Sequence, residues 1–267
     1  MLFRSAFDAG LCAHSRARKT GCTNCIEVCA TEAIRSNGDV IAVDPWLCKG
    51  CGTCSTVCPS GALGFQFPRV PDVGLRVKTL LSEYARTGGR DACIVFHAAE
   101  DGAAAIARLA RRGRGLPARV IPVEVWSADA VGLDLMLGSL ALGACQVAVL
   151  AAGSHDAAPL KAQAGYGQTI LSALGYAGEH LRIIEADAED WQALERALWS
   201  WTPATGVAVP ARFRLLPKKR ETLDFALRHL VQHAPAAQDA PGLPAAIALK
   251  AGAPFGQVVV SDACTLC

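Results

Sequence analysis

The sequence has little net charge and no long apolar segment. Its 267 residues carry a formal net charge of +2 at pH 7, which gives no reason to expect binding to nucleic acid or to a membrane surface. No run reaches the roughly 18 apolar residues that a membrane-spanning helix needs. The most apolar segment, 133–150, is interrupted by Asp134, Gln146 and glycines. We therefore expect no membrane span.

Two other features are missing. The first residues contain no apolar core long enough for a secretory signal peptide. No Ser/His/Asp arrangement and no pair of carboxylates can be recognised from the spacing, so no catalytic residue is predicted. Cysteine, in contrast, is abundant, with 12 residues. Their spacing is that of metal-cluster ligands rather than of disulfides, and because such ligands must be thiolates, we expect a reducing cytoplasm.

The strongest motif is a run of four cysteines followed by a proline, Cys48-x2-Cys51-x2-Cys54-x3-Cys58-Pro59. This spacing is typical of a [4Fe–4S] cluster, and in proteins with two clusters the fourth cysteine binds the other cluster. Gly50 and Gly52 lie between the cysteines, where the backbone must approach the cluster closely. The alternative is zinc, but zinc sites favour two separated pairs, often with histidine. The motif therefore predicts one-electron transfer.

An upstream segment, Cys22-x2-Cys25-x3-Cys29, repeats the last three cysteines of this motif at a constant offset. The repeat resembles the bacterial dicluster ferredoxin family, whose two halves exchange their fourth ligands. The resemblance implies that one [4Fe–4S] cluster is held by Cys48, Cys51, Cys54 and Cys29. It implies three ligands for the other cluster, Cys22, Cys25 and Cys58.

The fourth ligand of this other cluster departs from the family pattern. Lys19 occupies the position that corresponds to Cys48 in the repeat. The only other thiol nearby is Cys12, and we expect it to complete the cluster across a basic loop. His14 could tune this site or replace a ligand. If Cys12 is instead a bystander, the cluster is [3Fe–4S], labile or absent.

Downstream of Asp91 the pattern changes to alternating strands and helices. Strands are predicted at 93–96, 120–125, 146–151 and 181–184. Helices are predicted at 103–112, at 128–142, at 160–174 and after a cap at Asp187, the last with one face formed by Trp191, Leu194, Leu198 and Trp201. Four successive strand–helix units imply an open, mostly parallel α/β sheet, in which Pro122 limits its strand to an edge or a bulge.

The predicted fold is an α+β ferredoxin-like dicluster module followed by an α/β domain with a mostly parallel sheet. The ferredoxin domain is predicted at 1–68, with a hairpin at Val40–Val43, and the α/β domain at 91–201. Between them, 69–90 is predicted as a linker (68–72) followed by a polar helix to Arg86. After the α/β domain we expect a helix around 223–231 and a Pro/Ala-rich linker within 202–256, and then a strand with Cys264-x2-Cys267 at 257–267. We interpret this last pair as the start of a truncated cluster motif, with a terminal redox pair as the alternative.

Within the α/β domain, segments 121–124, 142–145 and 167–171 resemble the delta subunit of methyl-viologen-reducing hydrogenase over about residues 91–200. That family is associated with a [2Fe–2S] cluster and passes electrons between a hydrogenase or formate dehydrogenase and a heterodisulfide-reductase-type flavoprotein. Here the domain contains only Cys93 and Cys145. Because four thiolates are usually needed, we expect both to be buried packing residues.

Three polar residues, His97, Glu100 and Asp101, follow the first predicted strand of this domain. Open α/β sheets bind ligands at this end of their strands. We interpret these residues as a solvated loop, with a small polar site as the alternative.

Three hypotheses for function follow. The first is an iron–sulfur electron-transfer protein or subunit with two [4Fe–4S] clusters, relaying electrons between redox partners such as a dehydrogenase, a hydrogenase or a flavoprotein subunit. The second is a subunit of a catalytic oxidoreductase of hydrogenase, formate dehydrogenase or heterodisulfide-reductase type, whose middle domain binds a flavin or a small substrate. The third is an assembly or regulatory protein whose clusters are structural or sense oxygen.

Overall fold

The computed structural model describes residues 4–16, 19–153, 156–187, 189–237 and 242–255. At the amino-terminal end, short strands and helices form a cysteine-rich module. Its elements are β1 (Ser5–Phe7), β2 (Ser15–Arg16), β3 (Lys19–Thr20), α1 (Asn24–Glu27), β4 (Ile34–Asn37), β5 (Val40–Val43), α2 (Thr53–Val57) and β6 (Leu63–Phe65). Strands β4 and β5 form the predicted hairpin, and β1 pairs with β6, so the two ends of the module lie together.

The rest of the described chain is built around one sheet. Its elements are α3 (Val70–Arg86), β7 (Cys93–Ala98), α4 (Asp101–Arg112), β8 (Val120–Val125), α5 (Leu133–Ala141), β9 (Gln146–Leu150), α6 (Ala158–Ala173), β10 (Leu181–Ile184), α7 (Trp191–Trp199) and α8 (Lys219–Gln232). The four strands are all parallel, in the order β10-β9-β7-β8. This confirms the predicted open parallel sheet.

Helices cover both faces of this sheet, because successive side chains of a strand point to opposite faces. On one face, Ile94 and Phe96 of β7 pack in a core shared with α3, α5, α6 and α8. On the other face, Cys93 and Val95 pack with α4 and α7. Pro122 lies in the edge strand β8, as predicted. Strands β8 and β9 lie on opposite sides of β7, so the winding direction reverses between β7 and β9.

The single helix predicted at 128–142 is wrong. A short 3-10 helix at Ala128–Ala130 is separated from α5 by an extended turn at Val131 and Gly132. Gly132 has φ −84° and ψ 174°, which is not helical. A side chain at Gly132 would collide with the carboxylate of Asp134, so the glycine permits the close turn that starts α5.

The predicted cap at Asp187 is also wrong. Helix α7 is capped by Asp190, whose carboxylate accepts a hydrogen bond from Ala193 N–H. Asp187 instead accepts N–H bonds from Glu189 and Asp190 in the preceding turn. Because the helix ends at Trp199, the buried Trp201 packs from beyond its end rather than from its face.

The predicted linker at 68–72 is shorter than expected, because α3 begins at Val70. Pro71 is compatible with this early start, since a helix's first turn does not need its N–H. The helix is not polar all round, because Val73, Val77 and Leu81 are buried. It therefore belongs to the packed α/β domain rather than to a linker.

The described end of the chain, 242–255, has no regular helix or strand, in agreement with the predicted linker. Its apolar residues Ile247, Leu249 and Phe255 nevertheless pack against the core. The strand predicted at 257–260 and the pair Cys264 and Cys267 lie outside the described residues. Within the described part of the chain, no helix is both long enough and apolar enough to cross a bilayer.

Candidate iron–sulfur centres

The first group of cysteines lines one cavity in the module. Its four members are Cys12, Cys22, Cys25 and Cys58. They come from separate elements: Cys12 follows the 3-10 helix Ala9–Leu11, Cys25 lies in α1, and Cys58 follows α2. The structure therefore brings Cys12 to the place where the sequence predicted a fourth ligand.

The first-group thiols are close enough to influence one another. The pKa of Cys25 is raised to about 12, mainly by burial and in addition by the negative charges of Cys58, Cys22 and Cys12. Four thiolates cannot share this buried space without a compensating positive charge. Iron ions would supply that charge, so the donor set fits a bound cluster.

The second group consists of the remaining ligands predicted from the repeat, Cys48, Cys51, Cys54 and Cys29. Burial raises the pKa of Cys54 to about 12, and the charges of Cys51, Cys25, Cys48 and Cys29 act in the same direction. Burial is also the main cause that raises the pKa of Cys48, with contributions from Cys51 and Cys29. The structure thus places all four thiols in one group.

The two groups exchange one cysteine each. Cys58 continues the second motif in sequence but lines the cavity of the first group, while Cys29 continues the first motif but acts on Cys48 and Cys54. The groups also adjoin, since Cys25 of one raises the pKa of Cys54 of the other. This is the exchange that the ferredoxin resemblance implied.

Backbone and hydroxyl groups surround the sulfur atoms. Gly50 donates its N–H to Cys48 Sγ at 3.3 Å, and its φ of 70° is one that glycine adopts readily. The sequence repeat of the cysteines also includes a hydroxyl side chain two residues after the last cysteine of each half. Thr31 Oγ1 lies 3.7 Å from Cys29 Sγ, and Ser60 Oγ lies 3.7 Å from Cys58 Sγ. Hydrogen bonds to sulfur are among the means by which a protein sets the potential of a cluster.

The spacing of these thiols differs from that of a single-ion site. Among the described residues, no three His, Cys, Asp or Glu side chains converge closely enough to hold one metal ion. Ligands of one zinc ion all lie about 2.3 Å from it when they are thiolates. A cubane binds each thiolate to a different iron, so its ligands stand further apart.

His14 is buried beside the first group, but it is not positioned as a replacement ligand. Its Nδ1 lies 2.8 Å from Cys22 O and its Nε2 lies 2.8 Å from Ser36 Oγ. Both ring nitrogens are therefore engaged in hydrogen bonds. The histidine holds the backbone at Cys22 in place.

A second cavity, of about 250 Å³, lies where the module meets the carboxyl edge of the sheet. Its lining comes from the ends of three strands and from the cysteine loop: Lys49, Gly50, Cys51, 98–101, 126–129, Ala152 and Gly153. Glu100 and Asp101 line it, which favours the alternative of a small polar site over the solvated loop that we expected. The buried His97 does not line this cavity and directs its Nδ1 to Ala98 O. The cavity lies at the point where the winding of the sheet reverses.

The two cysteines of the α/β domain are buried packing residues, as predicted. Cys93 is 0% exposed and Cys145 is 4% exposed. Burial raises the pKa of Cys93 to about 12, so its thiol stays neutral. The Cys145 thiol donates to Ala204 O.

Sequence reasoning missed the polar contacts that join the module to the α/β domain. Thr56 Oγ1 donates to Asp129 O at 2.6 Å, and Lys219 Nζ donates to Ser55 O at 2.9 Å and to Thr56 O at 2.6 Å. One signal was available. Asp134 interrupts an otherwise apolar helix, and a buried carboxylate generally requires a nearby positive charge.

The comparisons with known proteins agree with the module. Residues 20–62 match the family model of the 4Fe-4S dicluster domain. The chain is similar to the isethionate sulfite-lyase activating enzyme of Oleidesulfovibrio alaskensis, with 40% identity over 88 residues, which cover 32% of this chain and 27% of the relative. This segment is thus of iron–sulfur ferredoxin type.

Two ferredoxins are also similar. The ferredoxin 7Fe of Hydrogenibacillus schlegelii is 40% identical over 40 residues, which cover 15% of this chain and 51% of the relative. The ferredoxin of Alicyclobacillus acidocaldarius subsp. acidocaldarius is 39% identical over 49 residues, which cover 18% of this chain and 62% of the relative. The chain therefore spans only part of each of these relatives, and no solved structure matches it.

Proposed function

We propose that this chain is an electron-transfer protein, or a subunit of an oxidoreductase complex, that carries two [4Fe–4S] clusters. The observation that carries the proposal is the assembly of eight cysteines into two adjoining groups of four. One cluster would be held by Cys12, Cys22, Cys25 and Cys58, and the other by Cys48, Cys51, Cys54 and Cys29. When bound, the clusters supply one-electron transfer.

The residues of the module support this role by controlling access to the two groups. Apolar side chains of Ile34, Ile41 and Leu63 pack around the first group and exclude water. The second group is more open, since Cys51 is exposed. Trp46, which is 83% exposed, lies just before this group in sequence. We propose that a redox partner docks at this exposed end of the module.

The partner would be a dehydrogenase, a hydrogenase or a flavoprotein subunit. The resemblance of residues 91–200 to the delta subunit of methyl-viologen-reducing hydrogenase supports this class of partner. Because cluster ligands must be kept as thiolates, a reducing compartment such as the cytoplasm fits the proposal.

The decisive test is a count of iron and sulfide after anaerobic purification, with EPR spectra recorded after reduction. Two cubanes in magnetic contact support the proposal, and iron-free protein that contains zinc contradicts it. A Cys12→Ser variant tests the least regular ligand. We expect it to lose iron, because serine is a poor substitute for a thiolate ligand. The EPR spectrum should lose the magnetic interaction and keep the signal of the second cluster alone.

The matched control is Cys93→Ala, which removes a buried thiol outside both groups. It should keep its iron and its spectrum. Unchanged iron in the Cys12→Ser variant would remove Cys12 from the ligand set. A purified wild-type protein with seven irons would instead indicate one three-iron cluster, a composition that the name of one relative specifies.

The cavity of about 250 Å³ favours a second candidate function, catalysis by the α/β domain. A flavin or a small substrate held there would lie next to the Cys51 loop, within reach of the second cluster. Equilibrium titration of the purified protein with flavins tests this candidate. A chromophore beyond the iron–sulfur absorption, or saturable flavin binding that is lost in an Ala128→Trp variant, would favour it.

A further inference from the structure

A lysine of the α/β domain reaches the backbone between the two groups of cysteines. Lys219, the first residue of α8, donates from Nζ to Ser55 O and Thr56 O, at 2.9 and 2.6 Å. These carbonyls belong to α2, the helix that contains Cys54 and is followed by Cys58. One of these cysteines belongs to the second group and the other to the first. The contact therefore lies next to both candidate clusters.

The local reason for this contact is the end of helix α2. The last carbonyls of a helix have no partners within it and carry a partial negative charge, which a cation can satisfy. A lysine that only capped this helix would affect stability alone. Its position next to two groups of thiolates gives it a second effect, because its charge acts on them as well.

The electrostatic surroundings of Lys219 connect it with both groups. Burial lowers the pKa of the Lys219 ammonium, whereas Asp134, Cys58 and Cys54 raise it. Asp134 is 5% exposed and lies in the first turn of α5, on the same small cavity as Lys219. Burial raises the pKa of Asp134, and the charge of Lys219 lowers it. A buried cation and a buried anion thus face the module from the α/β domain.

We propose that Lys219 raises the reduction potentials of both clusters and that Asp134 partly offsets it. Reduction adds one electron, and hence one negative charge, to a cluster. The nearby ammonium stabilises this added charge. The carboxylate of Asp134 destabilises it, to a smaller extent because it is the ammonium that bonds the backbone between the cysteines. Lys219 is thus a positioning and tuning residue, and the α/β domain is part of the redox centre. This inference rests on the proposed two-cluster function.

The sequence offers a matched control next to Lys219. Lys218 also carries a positive charge at the start of α8, but its side chain is 67% exposed and pairs with Glu221 at 3.4 Å. Solvent screens an exposed charge. Lys219→Met and Lys218→Met therefore remove the same charge from buried and exposed surroundings.

The experiment is a redox titration of the purified, cluster-loaded 267-residue chain near neutral pH, followed by EPR with dithionite as the reductant. For Lys219→Met we expect the ratio of reduced to oxidised cluster at a fixed poise to fall about tenfold for both clusters, a shift of about 59 mV to lower potential. Lys219→Arg should restore most of the shift, and Lys218→Met should leave both potentials unchanged.

Asp134→Asn provides a test that does not depend on the folding of the lysine variant. It should shift both potentials upward, opposite to Lys219→Met. A residue that acts only on stability would move thermal unfolding without opposite shifts in potential. Full iron content with unchanged potentials in both variants, or with shifts of the same sign, would overturn the tuning role. Wild-type protein without clusters would instead overturn the proposed function.

Discussion

The cysteine-rich module and the α/β domain are stabilised by different means. Among the described residues of the module, seven form its buried apolar cluster, and three of them, Cys12, Cys25 and Cys58, are candidate ligands. The α/β domain has an apolar core on each face of its sheet, with large buried side chains such as Phe96, Leu137 and Leu194. A module with so little to bury depends on its metal, whereas the domain can fold by apolar burial.

Removal of iron is expected to have the largest effect. Treatment with an iron chelator and oxidant should unfold the module, because the thiols of its core would lose the iron that holds them together. The α/β domain should stay folded. Hydrogen exchange read by mass spectrometry checks this, with fast exchange expected in β4 and β5 and retained protection in β7 and β9.

The same experiment can contradict the proposed difference in how the two regions are stabilised. Protection of β4 and β5 that survives complete iron loss would show that the module folds without metal. Loss of protection in β7 and β9 together with the module would show that the two regions unfold as one unit. In that case the contacts of Lys219 and Thr56 would be strong enough to couple them.

Substitution of one core leucine in each region tests the same difference with a smaller expected effect. Leu63 of the module is 1% exposed, and Leu194 of the α/β domain is 0% exposed. Leu194→Ala should lower the free energy of unfolding of the α/β domain by about 2–5 kcal/mol, because it leaves a cavity in the core. Its iron content should be unchanged, since Leu194 packs with α4 on the face of the sheet away from α5 and α8.

Leu63→Ala should act through the metal instead. Leu63 lines the cavity of the first cysteine group, so its loss admits water next to that group. We expect faster loss of iron in air and little change in thermal unfolding of the α/β domain. Equal iron retention in the two variants would contradict the proposed difference between the regions.

The two regions also differ in how far the sequence predicted them. The cysteine repeat predicted seven of the eight thiols that lie in the two groups, since cluster geometry restricts ligand spacing. It did not predict Cys12, because Lys19 occupies the corresponding position and Cys12 was expected only as the other thiol nearby. Apolar patterning predicted all four strands of the sheet, because buried parallel strands are continuous apolar runs. The break at Gly132 and the cap at Asp190 were missed. Both depend on local backbone geometry that several residues could have supplied.

The contacts between the regions were not predictable from the sequence. Lys219 and Ser55 are far apart along the chain, and no local pattern specifies their contact. Glu100 and Asp101 were recognised as candidates because strand ends in α/β sheets often bind ligands. That the Cys51 loop completes the same cavity follows only from packing of the module on the domain.

The smallest effect on stability is expected from removing the hydroxyl of a buried tyrosine in the α/β domain. Tyr176 is 3% exposed and donates its hydroxyl to Leu230 O at 2.9 Å. Tyr176→Phe should lower the free energy of unfolding by about 1 kcal/mol near neutral pH. The matched control, Tyr84→Phe, removes a hydroxyl that donates to Arg90 O at 3.1 Å on the surface and should have less effect.

The pH dependence of the stability difference between wild type and Tyr176→Phe tests whether it comes from the buried hydroxyl. Burial raises the pKa of Tyr176 from 10.0 to about 12. Between these values the unfolded chain loses the phenol proton while the folded chain keeps it, so wild-type stability falls as pH rises through this window. The phenylalanine variant lacks that fall, so its disadvantage should shrink at alkaline pH. Denaturant unfolding followed by circular dichroism measures this, and a disadvantage that stays constant with pH would show that the hydroxyl is hydrated rather than buried.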